Sequence, residues 1–358
     1  MDSSLFDYHL PDERIAQEPA AVRDASRLLV VHRTERRIEH RRFSDLPDYL
    51  GEGDSLFRNN ARVLPARLFA QRPTGGAAEC LLLRPASNEG LEWWTLLRPG
   101  KKLPVGSTFS REGYFSATVL EKNDEAEYRV RFDLTNYYSS VASLADELGK
   151  MPLPPYIARE KSDARDDADK ERYQTIYASS EKSVAAAAPT AGLHFTPQIV
   201  EKLTQQGATF HDLALHVGMG TFKPLQTEKI EDHQIHREIY EISEATQSAL
   251  RADSCRRKVC VGTTSVRSVE DYLAKSDVIV SGSFVSEAAI FIYPPRRFLG
   301  VDALITNFHQ PNSTLLCLVS AFLDPKGMDG INWLKEIYAE AIEREYRFLS
   351  YGDAMLIL

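Results

Sequence analysis

Apolar positions along the chain follow two kinds of pattern, and the change from one to the other marks its organisation. Between about residues 68 and 141 the apolar residues come in short runs, several alternating with polar ones. AECLLLRP, LEWWTLLRPG, STFSREGYFSATVLEK and AEYRVRFDL are separated by Gly, Pro, Asn and Asp. Period-two alternation between turn residues predicts an antiparallel β module, a small barrel. The flanks mix α and β patterns. The expected fold is therefore an α/β main domain with an inserted small antiparallel β-barrel domain. The barrel is expected over residues 66–150, and the main domain over 1–65 and 151–358.

Helices are predicted after Pro155. Thr196 and Pro197 supply an N-cap and a proline at the first helical position, Ile199, Val200 and Leu203 form one apolar face, and Gly207 suits the stop. KVCVGTTS followed by VRSVEDYL reads as a buried strand, a turn and a helix. FHQPNSTLLCLVSAF offers Ser313 or Asn312 as the cap of an apolar helix. Residues 331–345 form another, with Leu334, Ile337, Tyr338, Ala341 and Ile342 on one side. The charge-dense segment 159–172 reads as a solvated loop or short exposed helix.

Size and charge narrow the classes. A chain of 358 residues favours two domains. With 43% apolar and 26% charged residues it is an ordinary globular composition. The formal charge of −8 weighs against a general nucleic-acid binder, although a local basic face stays compatible with it. HRTERRIEHRRF (32–43) is the most basic stretch, with Arg33, Arg36, Arg37, Arg41 and Arg42. It reads as two short strands about a turn, a solvated hairpin partly neutralised by Glu35 and Glu39 rather than a phosphate-binding edge. Lys101, Lys102, Arg296 and Arg297 are further sources of a local positive face. Cys80, Cys255, Cys260 and Cys317 form no CxxC pair, which fits a reducing cytoplasm. No signal-like start and no apolar run of about 18 residues is present, so a cytoplasmic protein without a membrane span is expected.

Five stretches combine Gly, Thr, Ser, His and Asn beside apolar strands: APTAGLHF (188–195), HVGMGTF (216–222), HQIHREIY (233–240), VGTTSVR (261–267) and TNFHQPNSTLL (306–316). Each could be a tight turn; five together favour loops that approach a ligand. GTTS and PNST both lead into helices, whose N-termini can hold a carboxylate such as that of a methionine moiety. The competing expectation is self-capping by Ser265 or Ser313, preferred for PNST. HQIHRE has poor metal geometry: on a strand His233 and His236 point to opposite faces, and on a helix Glu238 lies well round from His233. No metal is expected. P-loop, dinucleotide-binding and nucleophile-elbow motifs are absent. The residues alone point to a two-part enzyme with a polar, His-containing pocket.

At these stretches the chain resembles the tRNA ribosyltransferase-isomerase family of queuosine biosynthesis. The resemblance runs nearly end to end. It starts at FDYHLPDERIAQEP, RDASRLLV, RNNARVLPARL and RPGKKL, and continues through PLPPYI and YQTIYA. It then takes in the five stretches and IFIYP, and closes on YRFLSYGDAML. Asn60 and Ala61, Lys182 with the alanine run 185–188, Pro295, Gln310 and Asn312 depart from the family's pattern.

The resemblance implies that the ribosyl part of S-adenosylmethionine is transferred to the amine of 7-aminomethyl-7-deazaguanine at the tRNA wobble position and isomerised. Epoxyqueuosine-tRNA forms, with release of adenine and methionine. S-adenosylmethionine is then a substrate, and no cofactor is expected. The partners are S-adenosylmethionine and that tRNA, and the expected assembly is a monomer, with a dimer as the alternative. The sulfonium acidifies the ribose 5′ carbon, so a moderate base can start the reaction, and an acid near adenine helps it leave.

The residues to which this chemistry falls are His194, His216, Glu238 and His309 for proton transfer. Binding falls to Thr190, Gly192, Gly218, Gly220, Thr221, Thr263, Thr264, Arg267, Asp302 and Asn307. Asp302 and Asp353 are weaker candidates for reading a guanine-like edge. The loops around His194, His216, Thr263, Thr264 and His309 are expected to converge on one pocket in which a histidine moves the first proton, with Glu238 as the rival base. Two other classes compete: a metal-dependent hydrolase using His233, His236 and Glu238, and a non-catalytic RNA-binding module, which the acidic charge balance disfavours.

Overall fold

A computed structural model describes residues 1–358 apart from Asn88, Lys161, Ser162, Ala186, Val217, 219–223, Asp253 and Ser254. The first strands are β1 Arg27–His32, β2 Arg37–Arg42, β3 Asp54–Asn59 and β4 Ala61–Val63. Next come β5 Arg67–Gln71, β6 Ala77–Pro85, β7 Glu92–Arg98, β8 Thr108–Arg111, β9 Phe115–Lys122 and β10 Tyr128–Leu134. The last are β11 Ser179–Ala185, β12 Thr209–Leu215, β13 Glu238–Ile242, β14 Arg257–Val261, β15 Phe284–Ala288, β16 Ala303–Asn307 and β17 Ala354–Ile357. The helices are α1 Val141–Leu148, α2 Asp166–Arg172, α3 Pro197–Gln205, α4 Glu244–Arg251, α5 Thr263–Lys275, α6 Thr314–Leu323 and α7 Gly330–Glu343.

The alternating segment closes on itself. Strands run β10-β7-β6-β5-β8-β9 around a barrel, each pair antiparallel. Phe115, Ala117 and Val119 of β9 and Tyr128, Val130 and Phe132 of β10 are buried, while Ser116, Arg131 and Asp133 between them are exposed. Closure leaves no long unpaired edge on this six-stranded sheet. Val141, Leu144 and Ala145 of α1 join the barrel's core, and Ser140 caps that helix by accepting from the Ser143 N–H at 3.1 Å.

The main sheet has nine strands in the order β15-β13-β12-β3-β14-β16-β17-β1-β2. Strands β12, β3, β14 and β16 are mutually parallel, and β1 is parallel to β17, while β17 is antiparallel to β16 and β13 to β12. Both faces are covered. Leu28, Val30, Leu56, Val259, Val261, Ala303 and Ile305 pack with Phe43 and with Ile199 and Leu203 of α3. On the other face Leu29, Val31, Phe57, Cys260 and Leu304 pack with α5, α6 and α7. Each such aliphatic side chain contributes roughly 1.5–3 kcal/mol when fully buried. Burial on both faces explains why these strands read as continuous apolar runs rather than as alternation.

Capping chemistry sets the helices. Thr196 accepts from the Ile199 N–H at 3.3 Å, Pro197 opens α3, and Gly207 follows it at φ +88°. Helix α7 buries Leu334, Ile337, Tyr338 and Ala341 along one side.

The segment 159–172 departs from a purely solvated reading. Its helix α2 is short, yet Asp169 is buried and bonded to Arg159 at 2.6 Å and to the Tyr351 hydroxyl at 2.8 Å. A charge-rich pattern hides a buried acid when its partners come from elsewhere in the chain. The basic stretch 32–43 is a hairpin of β1 and β2 in which three of the five arginines are matched by acids, while Arg33 and Arg42 donate to backbone carbonyls. Arg37 and Arg41 pair with Glu39, and Arg36 with Asp329.

Candidate active site

The strand directions decide which loops meet. With β3, β12, β14 and β16 parallel, the residues that follow Asn59, Leu215, Val261 and Asn307 emerge at one edge of the sheet. The antiparallel β13 and β17 begin there, bringing Glu238 and Asp353 to the same edge. Asp302 precedes β16 and therefore lies at the opposite edge. It is exposed, and its carboxylate accepts from the Lys258 N–H at 2.8 Å. The structure separates it from the other candidates by the length of a strand.

A cleft opens at this edge, with about 770 Å³ of empty space, part of it continuous with solvent. Thr190, Thr263, Thr264, Asn307 and His309 line it. Thr190 donates its hydroxyl to the Asn307 side-chain carbonyl at 2.9 Å, tying the 190–194 turn to the end of β16. Gly192 lies inside that turn, where a Cβ would come within 2.1 Å of the Tyr177 hydroxyl.

Helix α5 starts at the cleft without a cap. Gly262, at φ +90°, occupies the cap position, and no side chain accepts from the first turn. Ser265 turns back and donates its hydroxyl to the Val261 carbonyl at 2.8 Å. The Thr264 Oγ1 is buried and has no hydrogen-bond partner among the described residues. Unpaired N–H groups and a partial positive charge therefore face the cleft beside a hydroxyl donor. At α6, by contrast, Ser313 accepts from the Leu316 N–H at 3.4 Å.

The two buried histidines differ in what they have free. His194 uses both ring nitrogens: Nδ1 is 2.8 Å from the Ser26 hydroxyl and Nε2 is 3.2 Å from Asn307 Nδ2. Its ring stacks on Phe43. Burial, with Arg347 and Arg23 nearby, pushes its pKa down to about 3. It stands behind Asn307 and holds that amide. His309 lies in the cleft wall. Its Nε2 shares a hydrogen bond with Thr306 at 2.8 Å, its N–H donates to Tyr338, and its carbonyl accepts from Tyr8 at 2.5 Å. Nδ1 has no hydrogen-bond partner among the described residues. Burial pushes this imidazole down to about 3, so it stays neutral at physiological pH.

A second group sits at the same sheet edge but is not among the lining residues. Glu238 is buried, pairs with Arg267 and accepts from the Gly218 N–H at 3.1 Å. Arg267 also donates to the carbonyls of His236 and Ala288 at 3.0 and 3.1 Å. Burial and the neighbouring Lys182 lower the pKa of His216, with Glu241 acting in the opposite sense. Lys182, one of the unusual residues of this chain, pairs with Glu241. Gly220 and Thr221 lie outside the described residues; Pro224, which follows them, lines the cleft. Asp353 is buried and accepts from the N–H groups of Arg27 and Arg347 at 2.9 and 2.8 Å, a structural role.

Sequence reasoning attached no chemistry to Tyr156 and Ser350, which line the cleft 2.7 Å apart, hydroxyl to hydroxyl. Both lie in strings that carried the family resemblance, PLPPYI and YRFLSYGDAML, and that was their one available signal. Among the described residues no three His, Cys, Asp or Glu side chains cluster in a way that could hold a metal ion. Among the described residues no helix is long and apolar enough to cross a membrane.

A crevice at the carboxyl ends of parallel strands, with polar groups aimed into it, is where α/β enzymes take small substrates, and this chain has the build of such an enzyme. The comparisons with known proteins narrow the class. The model of the queuosine biosynthesis protein family matches residues 3–357, and the chain belongs to this family of transferase-isomerases. Proteins named S-adenosylmethionine:tRNA ribosyltransferase-isomerase are similar over the full length. The one from Thermotoga petrophila is 45% identical, covering 100% of both chains. The one from Moorella thermoacetica is 46% identical, covering 99% of this chain and 98% of its own. The crystal structure of S-adenosylmethionine tRNA ribosyltransferase from Thermotoga maritima is 37% identical. It superposes with a TM-score of 0.53 over 99% of this chain and 100% of its own.

Proposed function

We propose that the cleft binds S-adenosylmethionine and transfers its ribosyl part, with isomerisation, to 7-aminomethyl-7-deazaguanine at the tRNA wobble position. Epoxyqueuosine-tRNA is the product, and adenine and methionine leave. The observation that carries this reading is the uncapped start of α5 with the unpartnered Thr264 hydroxyl in a cleft opposite a neutral histidine. The methionine carboxylate takes the helix N-terminus, as anions do. The amide of Asn307, held by His194 and Thr190, is placed for a polar group of the nucleoside.

His309 is the proton-transfer group. A base held neutral by burial takes a proton only from an acidified carbon, which the sulfonium provides at C5′. The resulting imidazolium is a strong acid that hands its proton to the departing adenine. Glu238 is engaged by Arg267 and Gly218, and His194 by Ser26 and Asn307, which leaves them positioning roles. No cofactor is required, since the sulfonium supplies the electronic driving force. The enzyme acts as a cytoplasmic monomer on this reading.

The test is incubation of the protein with S-adenosylmethionine and tRNA bearing 7-aminomethyl-7-deazaguanine, followed by nucleoside analysis. Epoxyqueuosine in the tRNA with equal amounts of free adenine and methionine is expected. Methylated tRNA with S-adenosylhomocysteine would overturn the reading.

A further inference from the structure

Behind the cleft lies a second, shallower cavity with about 240 Å³ of empty space, part of it open solvent, lined by Ala20, Arg23, Arg172, His194 and Ser350 among others. Ser350 lines both cavities. The contact of His194 with Asn307, 3.2 Å long, forms part of the wall between them. Whatever binds in one is a near neighbour of whatever binds in the other.

The arginines here hold no carboxylate among the described residues, unlike several elsewhere in the molecule. Arg159, Arg257 and Arg267 each meet a buried carboxylate; of the hairpin arginines, Arg36, Arg37 and Arg41 meet Asp329 or Glu39, while Arg33 and Arg42 donate to backbone carbonyls. Arg23 and Arg172 donate to backbone carbonyls: Arg23 to Leu193 and Glu171 at 2.9 and 3.0 Å, Arg172 to Ala21 and Ala20 at 3.2 and 2.6 Å. Arg347 does the same, to Glu18 and Tyr351 at 3.0 and 2.9 Å. Among the described residues none of these three forms a salt bridge. A guanidinium has about five N–H donors, so donors remain on each. The Nε of Arg172 is buried with no partner among the described residues.

The two lining cations also repel one another. Burial and then Arg172 lower the pKa of Arg23, which the exposed Glu171 only partly offsets. Half-buried like charges that lack an acid are costly unless an anion joins them. The planar, multi-donor guanidinium suits phosphate.

We infer that this cavity receives a backbone phosphodiester of the tRNA strand whose target base enters the adjoining cleft, with Arg23 and Arg172 as its ligands. The inference rests on the proposed function and deepens it. The substrate carboxylate already has its place at α5, and the shared Ser350 puts the phosphate beside the nucleotide being modified. Phosphate contacts of this kind fix the register of a strand without reading its sequence. In the 32–43 hairpin Arg36, Arg37 and Arg41 already hold carboxylates, and Arg33 and Arg42, which donate to backbone carbonyls, do not line this cavity.

The experiment titrates an anticodon stem–loop RNA onto the full-length protein at several salt concentrations, for the parent, Arg172→Gln and Ala20→Glu. Calorimetry with S-adenosylmethionine runs alongside. Ala20→Glu sets a carboxylate at the cavity wall and leaves every arginine-to-carbonyl contact in place, so it decides the matter even where Arg172→Gln folds poorly. Each variant is expected to lose about tenfold in RNA affinity. The slope of log affinity against log salt should fall by about 0.7–1 for the lost phosphate contact, with S-adenosylmethionine affinity retained. A parent slope kept by Ala20→Glu would overturn the inference, while leaving the proposed function standing. Loss of S-adenosylmethionine affinity with RNA binding intact would also overturn it and assign the cavity to the substrate carboxylate. A parent that binds S-adenosylmethionine but no RNA would overturn the proposed function and the inference together.

Discussion

Helices α5 and α6 both begin at the cleft. At α6, Ser313 accepts from the Leu316 N–H and completes its own first turn. At α5 the cap position is Gly262, Ser265 bonds backwards to the strand carbonyl of Val261, and the Thr264 hydroxyl has no partner among the described residues. Two turns with similar residues, GTTS and PNST, thus end in opposite states, because a serine caps a helix only from the position before the first helical residue. On the proposed function the satisfied helix is scaffold and the unsatisfied one a binding element. On the same proposal the loop between β16 and α6 contributes its chemistry through His309 rather than through the helix end.

The largest effect expected from this division concerns that loop. His309→Gln should lower turnover, and the exchange of the ribose 5′ proton with solvent, by about 10²- to 10⁴-fold, the range for removing a general acid–base group. Exchange at the parent rate in this variant, with loss in Glu238→Gln, would move the base to Glu238.

Arg267, on the second turn of α5, comes next. Arg267→Met leaves the buried Glu238 charge without its partner, and should cost about 3–5 kcal/mol in urea unfolding. The double variant Arg267→Met/Glu238→Gln should recover most of that. No recovery would mean that Arg267 contributes through packing alone.

The pH dependence of stability follows from the depressed histidines. His194 falls from the ordinary imidazole value of 6.5 to about 3 in the folded protein. Between those values the unfolded chain binds a proton that the folded chain does not. Its contribution is therefore intact above pH 6.5 and is lost as pH falls toward 3, at about 1.4 kcal/mol per pH unit. His194→Asn should flatten that slope in acid unfolding titrations by about one proton's worth; an unchanged slope would contradict its burial as the neutral form.

The smallest effect sharpens the contrast between the helix starts. Ser313→Ala should cost about 1 kcal/mol of stability, as loss of a cap does, without changing S-adenosylmethionine affinity. A drop in affinity would make α6 a binding element too.

Much of the fold was legible because local pattern and tertiary role agree. The barrel strands alternate since one face of each is inside, as at Phe115, Ala117 and Val119, and Thr196 with Pro197 announces α3. The cleft was legible as a set of loops, not as an arrangement. Nothing local says that Asp302 and Asn307, five positions apart, stand at opposite edges of the sheet; that depends on the direction of β16. Nor does sequence pair Glu238 with Arg267, or His194 with Ser26. The basic character of 32–43 was visible as a run, whereas Arg23, Arg172 and Arg347 meet only in the fold. The neutralising Glu39 stands two positions from Arg37 and Arg41 and was legible, whereas the pairing of Arg36 with Asp329, and the lack of a salt bridge at Arg23, Arg172 and Arg347 among the described residues, are tertiary properties.

The central claim, that the uncapped α5 start holds a carboxylate, is tested most directly by calorimetry. S-adenosylmethionine and its decarboxylated analogue are titrated onto the parent and Thr264→Val, a near-isosteric change that removes the unpartnered hydroxyl. The parent should bind S-adenosylmethionine more tightly than the analogue. Thr264→Val should lose about tenfold toward S-adenosylmethionine, the value of a hydrogen bond to a charged group, and nothing toward the analogue. Equal losses toward both ligands, or none toward either, would contradict the assignment of the carboxylate to this helix end.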